Sequence, residues 1–205
     1  MTDMTATLCS DENLAEVLAL AQGDEPAALG RIALLLDDCP QDPRLHFLKG
    51  SLLAGQQQYA EGLVAMRHAV ALAPGYDIAR FQLGLLELSS GDAEAADATL
   101  QPLADAIDEK ALSLFALGLR HLARDNFDRA ETLLRRGIEI NDEHPLVSRD
   151  MQLMLAGIAD ARAAQDALAE SPPTVPDENA RAAPEEDVSA DHLLLQRYAD
   201  KSTKH

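Results

Sequence analysis

The chain has no tryptophan, three tyrosines and four phenylalanines among its 205 residues. An interior built from it must therefore be aliphatic, chiefly Ala and Leu, and these are strong helix formers. Basic residues are also scarce, 17 against 35 acidic ones, for a net charge of −18. So acidic a surface excludes nucleic acid and anionic membrane surfaces, both of which select Lys and Arg. No window approaches 18 uncharged apolar residues, so no membrane span is expected. The start, MTDMTATLCSDEN, lacks a basic region followed by an apolar run, and neither a secretory nor a lipoprotein signal is expected. A cytoplasmic location is expected. Two cysteines, Cys9 and Cys39, are too few for a disulfide framework and are expected as two reduced, half-buried thiols rather than a bridge.

Catalytic constellations are missing as well. His46, His68, His121, His144, His192 and His205 show neither H-E-x-x-H spacing nor a neighbouring Cys pair, so no metal site is expected. No glycine-rich phosphate loop occurs, and Glu185 and Glu186 lie in a solvated acidic run. The expectation is a protein without enzymatic activity, cofactor or metal.

What the chain does have is a period. Gly50 recurs as Gly84 and Gly118, Phe47 as Phe81 and Phe115, and Gly62 as Ala96 and Ala130, every step being 34 residues. The best copy, residues 43–76, carries Gly50, Tyr59, Gly62, Met66, Ala69 and Pro74. Small residues at fixed places let two antiparallel helices approach, and larger residues of the next unit fill the space between pairs. A unit of this length, with small residues at its eighth and twentieth positions and proline near its end, resembles the tetratricopeptide repeat (TPR) family.

The resemblance implies an all-α fold: a right-handed superhelix of antiparallel helix pairs. The expected repeats are 9–42, 43–76, 77–110 and 111–144, with a capping helix over 145–169, the whole forming one TPR domain over 9–169. The first repeat is the weakest, with Glu16 where the others have Gly. Its first helix is expected near Asp11–Ala21, its second capped by Asp24 with Pro26 in the first turn. Pro102 stands inside the second helix of the third repeat and is expected to kink or end it near Gln101.

Outside the repeats, residues 1–8 are expected to be disordered, as is the stretch 170–188, rich in proline and acid. Residues 189–205 are expected to form a short amphipathic tail helix, with Leu194, Leu195 and Tyr198 on one face. Such a segment is marginal alone in water and needs a surface to fold on.

In TPR arrays the first helix of each pair lines a concave groove through the second, fifth, ninth and twelfth positions of the unit. Carried over to this sequence, the resemblance places Arg44 and Phe47, then Ile78, Phe81, Leu85 and Leu88, then Leu112, Phe115, Leu119 and Leu122 in a groove, with Arg149 from the cap. Either Phe47, Phe81 and Phe115 are exposed there as anchors, or they are core, replacing an aromatic one position earlier, where this chain has His46, Arg80 and Leu114. The Lys and Asn set with which some TPR domains hold a partner's terminal carboxylate is absent: Asn13, Val17, Leu48, Ile78 and Gln82 stand there instead. The implied function is an adaptor that binds an apolar peptide or helix of another protein. The alternative is a cytoplasmic chaperone for an apolar segment of a secreted or assembling cargo, since small acidic TPR chaperones of bacterial secretion systems are similar in size and charge. The tail is expected as a plug, Leu194, Leu195 and Tyr198 docking into the groove of its own chain or of a neighbour.

Overall fold

The computed structural model describes residues 8–106 and 110–169. The expected disordered N-terminus up to residue 7, the linker and the tail with Leu194, Leu195 and Tyr198 lie outside them. Among the described residues the chain is entirely helical: α1 (Asp11–Ala21), α2 (Glu25–Asp38), α3 (Pro43–Gly55), α4 (Tyr59–Leu72), α5 (Asp77–Ser89), α6 (Ala93–Ala104), α7 (Ala111–Leu122), α8 (Phe127–Ile140) and α9 (Pro145–Ala169). First helices begin at 43, 77, 111 and 145, second helices at 25, 59, 93 and 127, each step again 34 residues. The period read from side chains is thus the period of the backbone. No described helix is long and apolar enough to cross a membrane.

The helices fall into two compact units, Met1–Asp105 with α1–α6 and Ala106–His205 with α7–α9. The division lies where the third repeat departs from the common unit, after Pro102 and before the place where Asp108 stands for the usual proline.

In the first unit α1 packs on α2, α3 on α4 and α5 on α6, and α2 with α3 and α4 with α5 join successive pairs. Short polar residues start the helices: Ser10, Asp24, Asp42 and Asp92 each accept a hydrogen bond from a backbone N–H of the first turn. The turn between paired helices repeats too. Gln57 and Gly91 have φ of 63° and 83°, and the next residues, Gln58 and Asp92, each donate to a carbonyl five residues back, Leu53 and Glu87, at 2.9 Å. A left-handed residue closing such a bond is a standard helix stop, and only Gly91 adopts it without a Cβ penalty.

The pairs close on glycine. A Cβ on Gly50 would stand 2.7 Å from Met66 Cγ and 3.1 Å from the Gly62 carbonyl oxygen, and one on Gly84 would run into Leu100. Cys9, Val17, Ile32, Leu35, Cys39 and Leu45 form the core where the first two pairs meet. Both thiols are buried and unbridged, and burial together with the neighbouring Cys9 pushes the Cys39 thiol up. Met66, Leu83 and Leu86 form the next cluster, with Phe47, Tyr59 and Leu63 packed against it.

Two buried carboxylates tie pairs together. Asp42 accepts from the Cys9 N–H at 2.8 Å and, through both oxygens, from Arg44 Nε at 3.0 Å and a terminal guanidinium nitrogen at 2.8 Å. Burial pushes its carboxyl up, but the Arg44 guanidinium and the two backbone N–H donors outweigh burial and hold it below the usual range. Glu87 of α5 accepts from Arg67 of α4 at 2.9 Å and from the Thr99 hydroxyl of α6 at 2.7 Å, joining three helices.

Pro102 does not break α6 at Gln101. The helix runs through it to Ala104, and the Asp105 N–H still reaches the Gln101 carbonyl at 2.9 Å. Pro102 sits in the last turn, where a missing N–H and a crowded carbonyl leave room for little more helix. The result is 12 residues in α6 against 14 in α2, α4 and α8.

The second unit repeats the design. Asp125 takes the left-handed turn at φ 57°, the Asn126 N–H bonds the His121 carbonyl at 2.9 Å, and a Cβ on Gly118 would meet Leu134 Cδ2 at 2.8 Å. Asn141 prepares the start of α9, donating to the His144 carbonyl at 2.6 Å and the Ser148 hydroxyl at 2.7 Å. On α9, Val147, Met151, Met154 and Ile158 recur at helical spacing and are buried, and the helix packs on α8. Arg162 adds ion pairs from α9 to Asp128 at 2.7 Å and Glu131 at 3.3 Å on α8.

Candidate functional site: the faces of the first helices

The second, fifth, ninth and twelfth positions of each unit are the expected groove positions, and burial sorts them sharply. In the first unit, Phe81, at 0 % exposure, Leu85 and Leu88 are all buried on α5. Every residue of α5 from Leu83 to Leu88 is withdrawn from solvent, Glu87 included. A helix enclosed on all sides is a core element, not an open wall. Phe81, Leu85 and Leu88 are therefore interior residues and do not stand open as anchors.

In the second unit the physical reason is visible. The Phe115 ring lies where a Cβ on Gly137 of α8 would have to be, so α7 inserts an aromatic into the gap that a glycine leaves on its partner. Phe115, at 0 % exposure, Leu119 and Leu122 are buried. The alternative left open in the sequence, rings as core, holds for Phe81 and Phe115. For Phe115 the signal is Gly137 on the facing helix, whose missing side chain leaves the gap that the ring fills.

Phe47 differs. It is only partly buried, and its ring lies 5.3 Å from that of Tyr76 at an interplanar angle of 59°. Burial pushes the Tyr76 hydroxyl up, Asp42 adding to the shift and Arg44 opposing it. Ile78, beside Tyr76 at the start of α5, is also partly exposed, as is Leu112 at the start of α7. Accessible apolar surface therefore survives at the N-terminal ends of the first helices, while the middle of α5 and α7 is closed.

Arg44 is already engaged. Besides Asp42 it binds Asp11 Oδ1 at 3.0 Å and the Cys9 carbonyl at 2.6 Å, so its guanidinium joins α1 to α3. Sequence spacing placed it at the groove, but the neighbouring helix cap Asp42 claims it. Holding an outside carboxylate would require breaking that fork.

The most open first-helix face is on α9. Leu146 and Leu153 are 74 % and 41 % exposed, and Arg149 and Ala156 are exposed between and beyond them. These four occupy the second, fifth, ninth and twelfth places of a unit starting at 145, and they lie opposite the stripe that α9 buries. Beside them, burial raises the Asp150 carboxyl while the adjacent Arg149 pulls it down. Among the described residues no group of three or more His, Cys, Asp or Glu is arranged to hold a metal ion. The nearest approach to a cluster is His46 with His68, two rings edge to face at 5.0 Å.

No protein-family model matches the sequence, and no curated protein matches it. Among solved structures the chain resembles MamA 41-end from Desulfovibrio magneticus RS-1, with 15 % identity over 95 % of each chain and a TM-score of 0.53. The MamA RS-1 ArsTM double mutant is similar at 13 % identity, over 96 % of this chain and 99 % of that one, also with a TM-score of 0.53. At such identities the likeness is one of fold, and that fold is all-α and TPR-like.

Proposed function

We propose, from the all-α, TPR-like repeat fold, that this chain is a non-enzymatic interaction scaffold that binds an apolar peptide or helix of another protein. The observation that carries this reading is the open face of α9, where two leucines at first-helix binding positions flank an exposed arginine. Burying one leucine side chain contributes about 1.5–3 kcal/mol, so two neighbouring ones supply a useful share of a protein–protein affinity. Phe47, Ile78 and Leu112 offer smaller accessible patches on other first helices. The occupant is apolar along one side and carries an acidic or neutral group opposite Arg149, the exposed cation between the two leucines.

The test is affinity capture with the full chain beside two double variants. Leu146→Ser with Leu153→Ser removes the proposed contact. Leu34→Ser with Val64→Ser removes equally exposed apolar surface from second helices, 62 % and 64 % exposed. Polypeptides lost from the first variant and kept by the second support the reading. Equal retention by both, or loss from both, refutes it.

A further inference from the structure

Within the described residues the fifth unit is half a repeat. It begins in register at Pro145, yet at residue 159, where the earlier units turn at Gln57, Gly91 and Asp125, the helix simply continues to Ala169. No second helix folds back within the described residues, and the face of α9 carrying Leu146, Arg149 and Leu153 is left open.

The remainder of the chain contains one segment that fits it. Residues 190–200, ADHLLLQRYAD, place Asp191, Leu194, Leu195 and Tyr198 at helical spacing i, i+3, i+4 and i+7, on one face if helical. The α9 face reads Leu, Arg, Leu at i, i+3 and i+7, and the tail face reads Asp, Leu, Leu, Tyr. In a register that sets Asp191 against Arg149, Leu194 and Leu195 lie one turn further on, level with one of the two α9 leucines, so the acid meets the cation of the face and apolar groups meet apolar ones. Reach agrees as well. Leu153 lies about 24 Å back along α9 from Ala169 at 1.5 Å per residue, and a stretch of about 20 residues, the number between Ala169 and the segment, is long enough to span on the order of 24 Å.

We propose that residues 190–200 dock as a helix on the Leu146, Arg149 and Leu153 face of their own chain, completing the half repeat. The tail then occupies in cis the surface that an outside polypeptide would use, and a partner must displace it. Tethering makes this docking effective at millimolar local concentration, enough for a segment too short to be helical alone. The inference stands apart from the binding of any outside partner, because the purified chain alone reports it.

The experiment is hydrogen exchange of the full chain resolved to peptides covering 190–200, at two protein concentrations tenfold apart. Protection at least tenfold above unstructured rates, equal at both concentrations, is expected. Arg149→Glu should abolish it, and Arg149→Glu with Asp191→Arg should restore it, the pair having exchanged charges. Arg149 is exposed, so neither variant threatens the fold, and unchanged protection in α8 confirms that. Unstructured exchange rates in the natural chain, protection unaffected by Arg149→Glu, or failure of the exchanged pair to restore it would each overturn the proposal. Protection that grows with concentration would assign the face to a second copy instead and overturn it equally.

Discussion

Adding one methyl group to Gly50 and one to Gly30 should move stability in opposite directions. Both glycines lie inside helices, α3 and α2, where alanine is intrinsically preferred by about 1 kcal/mol. At Gly30 nothing lies within 4 Å of an added Cβ, so Gly30→Ala should realise that preference and stabilise by about 0.5–1 kcal/mol. At Gly50 the methyl would meet Met66 Cγ at 2.7 Å and the Met66 nitrogen and Gly62 oxygen at 3.1 Å. Two of those three atoms are backbone, so relief requires α3 and α4 to separate. Overpacking of that kind costs about 1–3 kcal/mol, which offsets the propensity gain and leaves a net loss of up to about 2 kcal/mol. The propensity gain is common to both variants, so they should differ by about 1–3 kcal/mol, or roughly 2–12 °C in Tm for a chain of this size. Thermal unfolding by circular dichroism gives the first reading. Hydrogen exchange of α3 and α4 amides confines it to the first unit. Gly50→Ala as stable as Gly30→Ala would refute the claim that glycine sets the closeness of the helix pair.

Asp42→Asn should destabilise by about 1–3 kcal/mol at neutral pH, since it leaves the Arg44 guanidinium facing a neutral amide in a buried site. The Asp42 carboxyl is held below its unfolded value, so its stabilisation is complete above the ordinary carboxylate range and lost as pH falls through the depressed folded value. Denaturant midpoints measured from pH 7 to pH 3 should fall more steeply for the natural chain than for Asp42→Asn, and parallel curves would contradict the assignment. Gln57→Gly and Asp125→Gly, which relieve left-handed side-chain residues, should each stabilise by about 0.5–1 kcal/mol in urea unfolding, while Gly91→Ala should destabilise. Phe115→Ala should cost about 3–5 kcal/mol as a core cavity, clearly more than the partly exposed Phe47→Ala, and near-equal losses would argue against a buried Phe115.

Much of the fold was legible in the sequence because a repeat states each structural requirement several times. The glycines at 50, 84 and 118 mark the same close approach, and helix starts follow the same step. Pro102 does go with an early helix end, but at Ala104 and not at Gln101, since proline is tolerated within the last turn. Which first-helix positions stay open was only half legible. Position in the unit located Leu112, Arg149 and Ile78 on accessible surface, but it could not tell that Phe81 and Phe115 point inward, since a rotation of one residue, about 100°, changes wall into core. For Phe115 the decisive information lies in Gly137, 22 residues away on the facing helix, and for Arg44 in the cap residue Asp42, which draws the guanidinium away from any ligand.

The central claim is that the first-helix face of the last unit meets another stretch of polypeptide. A photo-crosslinking residue placed in turn at Leu146, Leu153 and Val64 of the full chain, in extract of the cells that make it, reads that contact directly. Covalent adducts from 146 and 153, to a partner or to the chain's own residues 190–200, and none above background from 64, are what the account predicts. Adducts from 64 alone, or equal yields from all three positions, would contradict it.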